Sequence, residues 1–160
     1  MTAAATPIDQ YNVAWTTQSK HAGESMPVSG GDIGLNVWVE NDELLVYLGR
    51  AGCRDENGAL LKPGRVRVKL TPNPFENAEF CQELKLREGY VLVTAGSVAR
   101  SRRERGLAES HTRGASGLRG MTAIKVWVEV ARPVVHLDVE SENPVTAEAT
   151  YESWRFEDVE

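Results

Sequence analysis

The sequence predicts an all-β protein folded as an antiparallel β-sandwich. Seven or eight short stretches alternate apolar with polar residues, most of them are joined by turn-forming residues, and no stretch has convincing helical periodicity. The chain has 160 residues, of which 41% are hydrophobic and 26% are charged. Those values are ordinary for a globular protein with a buried core, so we expect one domain.

A long β-hairpin is the clearest predicted element. Ile33–Glu40 is one strand, Asn41-Asp42 is a two-residue turn, and Glu43–Gly49 is the return strand. A slip by one residue would mix the two faces, so the register is well specified, whereas the turn type stays open because Asn-Asp lacks the glycine that best suits type I′. The predicted pairs are Val39–Leu44, Val37–Val46 and Leu35–Leu48 on an aliphatic face, and Trp38–Leu45, Asn36–Tyr47 and Gly34–Gly49 on the other.

The remaining strands are predicted from the same alternation. They are Tyr11–Thr16 (a short edge strand that brings Trp15 onto the core), Arg65–Thr71, Phe80–Leu86, Tyr90–Thr94, Ile124–Val130 (with Ile124, Val126, Val128 and Val130 on one face), Val134–Glu140 and Val145–Trp154. Phe80–Leu86 and Tyr90–Thr94 form a second hairpin around the three-residue loop Arg87–Gly89, in which the glycine takes the left-handed conformation.

Two segments fall outside this pattern. Residues 1–10 are small and polar and are expected to be a loose leader, so the sandwich domain spans 11–160. Residues 95–121 are rich in Arg, Ser, Gly and Ala and cannot bury enough apolar surface to offset their ordering entropy, which predicts a flexible, disordered insertion. We favour a solvated insertion over the alternative, a basic patch that binds polyanions.

Composition argues against several classes of function. The net charge of −5 argues against a nucleic-acid partner, and no stretch approaches the roughly 20 apolar residues that span a bilayer. No signal peptide is visible at the start of the chain. Cys53 and Cys81 are expected to be unpaired thiols, and the three histidines have no ligand neighbours at metal-binding spacing, so no metal and no cofactor are predicted.

Few features of the sequence point to chemistry. Ser29–Gly34 is glycine-rich but leads into a strand, so its glycines are expected to serve turns and close packing and not to bind phosphate. Loop carboxylates are plentiful, yet the sequence does not show any two of them facing each other, as glycosidases require. The tryptophans, including Trp38 and Trp127, could stack on sugar rings, although aromatic residues on sheets more often serve packing.

Long runs of the sequence resemble a known family. The runs ESMPVSGGDIGLNVWVE and GRVRVKLTPNPF, with QELKLREGYV, IKVWVEVARPVVHLDVES and YESWR, resemble the N-terminal β-domain of bacterial glycoside-hydrolase-like proteins, a domain of unknown function (the 5703 group). MPVSGGDIGLNVWV is more distantly similar to the opening of the fucosidases of glycoside hydrolase family 95. The resemblance covers nearly the whole chain apart from the leader, the insertion and the last positions.

The resemblance implies a supersandwich of galactose-mutarotase-like fold, packed on a separate helical barrel that carries the catalytic carboxylates. Nothing here matches such a barrel, so no catalytic residue carries over and the chain alone is not expected to be an enzyme. The end of the chain is expected to leave the sandwich incomplete. The family context implies a bacterial periplasmic or secreted protein.

We therefore expect a non-catalytic domain that supports the helical barrel of a glycoside-hydrolase-like parent. Its long loop Arg50–Gly64 is the best candidate for contact with the barrel, and the alternative is a stand-alone carbohydrate-binding module that uses exposed aromatics. The predicted contact residues are Arg50, Asp55, Glu56 and Asn57 for the barrel, and Trp38, Tyr47 and Trp127 as a stacking platform for a carbohydrate.

Overall fold

The protein is a two-layer antiparallel β-sandwich, as the alternating pattern predicts. The computed structural model describes residues 7–59, 61, 63–96 and 120–153. Within these residues, two five-stranded sheets face each other and do not close into a barrel. Sheet A has the strand order β1-β6-β7-β8-β9, and sheet B has the order β10-β5-β4-β3-β2.

Ten strands and two short 3₁₀ helices make up the described chain. The helices are Pro7–Tyr11 and Ala22–Glu24, and the strands are β1 Val13–Trp15, β2 Met26–Gly30, β3 Ile33–Glu40, β4 Glu43–Arg50, β5 Gly64–Thr71, β6 Glu79–Lys85, β7 Tyr90–Gly96, β8 Met121–Val128, β9 Val135–Ser141 and β10 Thr146–Glu152. Every strand pair in both sheets is antiparallel.

The β3–β4 hairpin has the predicted register at every pair, from Val39 opposite Leu44 to Gly34 opposite Gly49. Asn41 and Asp42 have φ values of 52° and 61°. Positive φ at both central residues defines a type I′ turn, which matches the twist of the flanking strands. Asn and Asp take this conformation more readily than other side chains do, so the turn forms without a glycine.

The core lies between the sheets and is almost wholly aliphatic. The predicted aliphatic face of the β3–β4 hairpin supplies buried residues such as Val37, Val39 and Leu44, and sheet A supplies buried valines and Ile124. Val135, Leu137 and Val139 of β9 pack against the same cluster. Apolar and polar residues alternate along these strands because one face of each sheet is buried against the other sheet and the opposite face is not.

Three local predictions were wrong. Trp15 is 41% exposed and not in the core, because β1 is the edge of sheet A and the Trp15 indole donates to the Glu24 carbonyl (3.1 Å). Val130 is 79% exposed because β8 ends at Val128 and the chain then turns. The β6–β7 loop has four residues, since Lys85 pairs with Tyr90, although Gly89 does have a positive φ of 70°.

The two segments outside the alternating pattern lie mostly outside the described residues. Of the predicted leader, the helix Pro7–Tyr11 is described, and Asp9 in it forms an ion pair with Arg87 (2.7 Å). Of the predicted insertion, the first residues belong to β7 and the last to β8, and residues 97–119 fall outside the described part. Strands β7 and β8, on either side of the insertion, are paired neighbours.

Candidate functional site

A cleft of about 670 Å³ opens at one end of the sandwich. It lies where β2, β3 and β4 of sheet B meet the β6–β7 turn of sheet A. Among the described residues its wall is mostly apolar, and it contains no carboxylate. The lining residues are Pro27, Val28, Ser29, Gly34, Leu35, Asn36, Tyr47, Leu48, Gly49, Arg50, Leu61, Leu84, Lys85, Leu86 and Gly89.

Two glycines form an open floor within this cleft. Gly34 and Gly49 are opposite each other on β3 and β4. A Cβ atom on Gly34 would meet no atom within 4 Å, and one on Gly49 would meet only the Gly34 carbonyl at 3.4 Å. Asn36 and Tyr47 form the next pair along the same face, so they stand beside bare backbone. A flat group could lie on that backbone.

Tyr47 is held at the side of the cleft by Trp38. The two ring centroids are 4.5 Å apart with an interplanar angle of 69°, the edge-to-face arrangement that aromatic pairs favour. Trp38 itself is only 1% exposed, and its indole donates to a Glu40 carboxylate oxygen (2.9 Å). The predicted stacking role therefore does not fit Trp38, which presents no ring face to solvent, whereas half-buried Tyr47 lines the cleft.

The predicted contact residue Arg50 stands at the rim in an ion pair. Its Nε atom lies 2.8 Å from Asp32 Oδ2, with both side chains about half exposed. This hydrogen bond lowers the pKa of Asp32 below its usual value and raises that of Arg50. The sequence analysis missed Asp32 as the partner, although the hairpin register pairs Arg50 with Ile33, the residue after Asp32.

Lys85 is a second cation in the lining that sequence reasoning missed. Its Nζ atom lies 2.6 Å from Glu83 Oε1, and that hydrogen bond raises the pKa of Lys85. Leu84 and Leu86, on either side of it in sequence, also line the cleft. No local sequence signal places the β6–β7 hairpin at the same cleft as the β3–β4 hairpin, because that arrangement depends on how the two sheets pack.

The remaining predicted contact residues lie away from the cleft. Asp55 Oδ1 accepts hydrogen bonds from the backbone N–H groups of Asn57 (3.0 Å) and Ala59 (2.7 Å), so its carboxylate is used to fold the loop. Glu56 and Asn57 are exposed at the tip of that loop. From the loop between β4 and β5, the described residue that reaches the cleft is Leu61, whose N–H donates to the Cys53 carbonyl (2.9 Å).

The outer face of sheet A carries a second aromatic group. Trp127 stacks on His136 with centroids 4.0 Å apart and an angle of 7°, and its indole donates to Asp138 (2.8 Å). The ammonium of Lys125 lies 4.7 Å from the Tyr90 centroid and 5.4 Å from that of Trp127. His136 therefore covers one face of the Trp127 ring, and that face is not open to a sugar.

The described residues were also searched for metal sites, disulfides and membrane-spanning helices. They contain no group of three or more His, Cys, Asp or Glu placed to hold a metal ion. Cys53 and Cys81 are free thiols, as predicted. Within the same part of the chain, no helix has the length and apolar character needed to cross a membrane.

Comparison with known proteins gives a family and no activity. The model of the family DUF5703_N, described as a domain of unknown function (DUF5703), matches residues 14–105 and 106–160. No curated protein and no solved structure matches the chain. The matched residues cover both sheets and the cleft, so this β-sandwich belongs to the DUF5703_N family.

Proposed function

We propose that the chain is a non-catalytic N-terminal β-sandwich of a glycoside-hydrolase-like, carbohydrate-active protein, and that it supports a separate helical-barrel domain. The observation that carries this proposal is the chemistry of the cleft, whose described lining is mostly apolar, with two ion-paired cations and no carboxylate of its own. Hydrolysis of a glycosidic bond needs two opposed carboxyl groups, and this cleft does not offer them. The resemblance to glycoside-hydrolase-like proteins supplies the helical partner.

The cleft has the chemistry of a docking surface. Leu84 and Leu86 belong to its apolar lining, and Arg50 and Lys85 add charged groups to it. Interfaces between proteins commonly combine apolar and charged groups, and Tyr and Arg are among the residues most enriched at their energetic centres. Tyr47 is already held in place by Trp38, so it would lose little side-chain entropy on contact with a partner.

A substitution in the full-length parent protein tests the docking role. Leu86 is 37% exposed on the cleft wall, and Leu86→Glu would place a charge in the proposed interface. We expect separate thermal transitions for the two domains in calorimetry and faster proteolysis between them. Val130→Glu is the matched control, since Val130 is exposed and does not line the cleft. Identical behaviour of the two variants would contradict docking at this cleft.

The glycine floor supports a second candidate function, carbohydrate binding by the isolated chain. Bare backbone at Gly34 and Gly49 beside Tyr47 and Asn36 leaves room for a sugar ring to lie against the sheet. Titration with oligosaccharides, followed by tryptophan fluorescence, tests this role because Trp38 touches Tyr47. Saturable quenching that Tyr47→Ala abolishes would favour the binding module, and no response in either protein would count against it.

A further inference from the structure

We propose that Asn57 is a deamidation site, at which the side-chain amide is lost as ammonia, and that Asp55 sets the rate by holding the loop around Gly58 closed. This inference goes beyond the proposed function and does not depend on what the cleft binds. The site lies in the loop between β4 and β5. Its reactive groups are the Asn57 amide and the backbone nitrogen of Gly58, and its co-reactant is water.

The residue after Asn57 favours this reaction. Deamidation begins when the backbone nitrogen of the following residue attacks the asparagine amide, and a side chain on that residue hinders the attack. Glycine has no side chain and hinders it least. Asn57 is followed by Gly58, whereas the other asparagines of the chain are followed by valine, aspartate, proline or alanine. Asn57 is therefore the asparagine with the least hindered chemistry.

The site is open to water. Asn57 and Gly58 are both exposed. Gly58 has a φ of 81°, and a Cβ atom on it would meet no atom within 4 Å. Solvent base and water therefore reach the nitrogen and the amide without passing another group.

The reaction has two steps, and neither needs an oxidant or a reductant. In the first step the Gly58 nitrogen loses its proton to solvent base and bonds to Cγ of Asn57. The bond from Cγ to Nδ2 breaks, and Nδ2 takes a proton from water and leaves as ammonia. In the second step water adds to either carbonyl carbon of the resulting succinimide ring. Opening of the ring then gives aspartate or isoaspartate.

In the closed loop, hydrogen bonds restrain Gly58. Its N–H donates to the Asp55 carbonyl (3.0 Å), which closes a β-turn, and its own carbonyl accepts a hydrogen bond from Arg54 Nη1 (2.7 Å). The Asp55 carboxylate fastens the turn on both sides of Gly58, since Oδ1 accepts the N–H groups of Asn57 (3.0 Å) and Ala59 (2.7 Å). The Gly58 nitrogen must leave this turn to react, so the rate follows the population of the open loop.

The carboxylate of Asp55 is the part of this arrangement that a substitution removes cleanly. In Asp55→Ala the main-chain bond from the Gly58 N–H remains, and so does the bond from the N–H of residue 55 to the Ala59 carbonyl (3.0 Å). The turn is therefore loosened and not abolished. Hydrogen bonds to an ionised group are stronger than neutral ones, so we expect their loss to make opening about tenfold more frequent.

Mass spectrometry of the full chain, with peptide mapping and detection of isoaspartate, measures the rate at Asn57. Each protein is incubated at mildly alkaline pH, once folded and once in urea, and the readout is the ratio of the two rates. The rate in urea contains the direct effect of neighbouring side chains, and the ratio isolates the protection by the loop. We expect the folded parent to react more slowly than the unfolded parent, and Asp55→Ala to lose about tenfold of this protection.

Two further variants serve as controls. Glu56→Ala removes a neighbouring carboxylate that is exposed at the tip of the loop, so it should keep the ratio of the parent. Arg54→Ala removes the hydrogen bond to the Gly58 carbonyl and should lower the protection as Asp55→Ala does. Circular dichroism and the thermal midpoint check that the sheets of each variant stay folded.

Two kinds of result would overturn the proposal. If Asn57 stayed unmodified in the unfolded chain, or if another asparagine reacted faster there, Asn57 would not be the deamidation site. If Asp55→Ala kept the ratio of the parent, or if Glu56→Ala lost as much protection as Asp55→Ala, the Asp55 carboxylate would not set the rate.

Discussion

The side-chain amide of Gln82 on β6 donates a hydrogen bond to the backbone carbonyl of Val37 on β3, 3.2 Å away, and so links the two sheets through the core. Gln82 is 1% exposed among aliphatic residues. Its Oε1 atom has no hydrogen-bond partner among the described residues. A buried polar atom without a partner carries a desolvation cost, so this position should respond sharply to a charge.

We expect Gln82→Glu to lower the free energy of unfolding by about 3 kcal/mol or more at pH 7, because it buries a carboxylate without a partner. Burial raises the pKa of such a carboxyl above the value of about 4.3 in the unfolded chain. The destabilisation should therefore be absent at pH values below about 4, where both states are protonated, and should grow as the pH rises until the folded pKa is passed. Urea unfolding at several pH values measures this dependence.

The control is Gln82→Met, which keeps the volume of the side chain and removes both the hydrogen bond and the unpaired oxygen. Its free energy of unfolding should stay within about 1.5 kcal/mol of the parent value at every pH. If Gln82→Glu and Gln82→Met were equally stable at pH 7, the position would be accessible to water and not enclosed in the core.

Substitution by alanine should change the stability of the fold differently at two neighbouring glycines, Gly30 and Gly34. A Cβ atom on Gly30 would lie 2.7 Å from the Val128 carbonyl, whereas one on Gly34 would meet nothing within 4 Å. Overpacking against backbone costs about 1 to 3 kcal/mol, and replacement of an unstrained strand glycine by alanine gains up to about 1 kcal/mol. We expect Gly30→Ala to lower the urea midpoint and Gly34→Ala to leave it unchanged or raise it. A larger loss for Gly34→Ala would contradict the open floor of the cleft.

The limits of sequence reasoning follow from which contacts are local. The register of β3 and β4 follows from alternation and a two-residue turn, and the same register would have found the Asp32–Arg50 pair. The cleft could not be found in this way, since Lys85 lines the same cleft as β3 and β4 only because the two sheets pack together. The burial of Trp38 was equally hidden, because alternation assigns it to the face opposite the core.

The loop between β4 and β5 should depend on Asp55 and not on Glu56. Asp55 Oδ1 accepts two backbone N–H groups of the loop, whereas Glu56 is exposed. We expect Asp55→Ala to speed hydrogen exchange and proteolysis in residues 50–61 with little change in the unfolding of the sheets, because the loss is local. The control Glu56→Ala should behave like the parent chain. Equal protection of the loop in both variants would show that other contacts hold it.

The pairing of strand β10 with strand β5 should weaken in acid. Hydrogen bonds from Arg67 and then Arg65 lower the pKa of Glu152 below its usual value. A lowered carboxyl pKa means that the ion pairs stabilise the strand fully above the unfolded pKa, and that this stabilisation is lost as the pH falls through the folded pKa. Amide exchange in β10, corrected for the intrinsic rate, should therefore accelerate relative to β3 as the medium is acidified.

The variant Glu152→Gln should exchange rapidly in β10 at neutral pH and lose this pH dependence, whereas Glu148→Gln, on the same face of the same strand, should keep it. Equal pH dependence in Glu152→Gln and the parent chain would mean that backbone pairing with β5 holds β10 without the arginines.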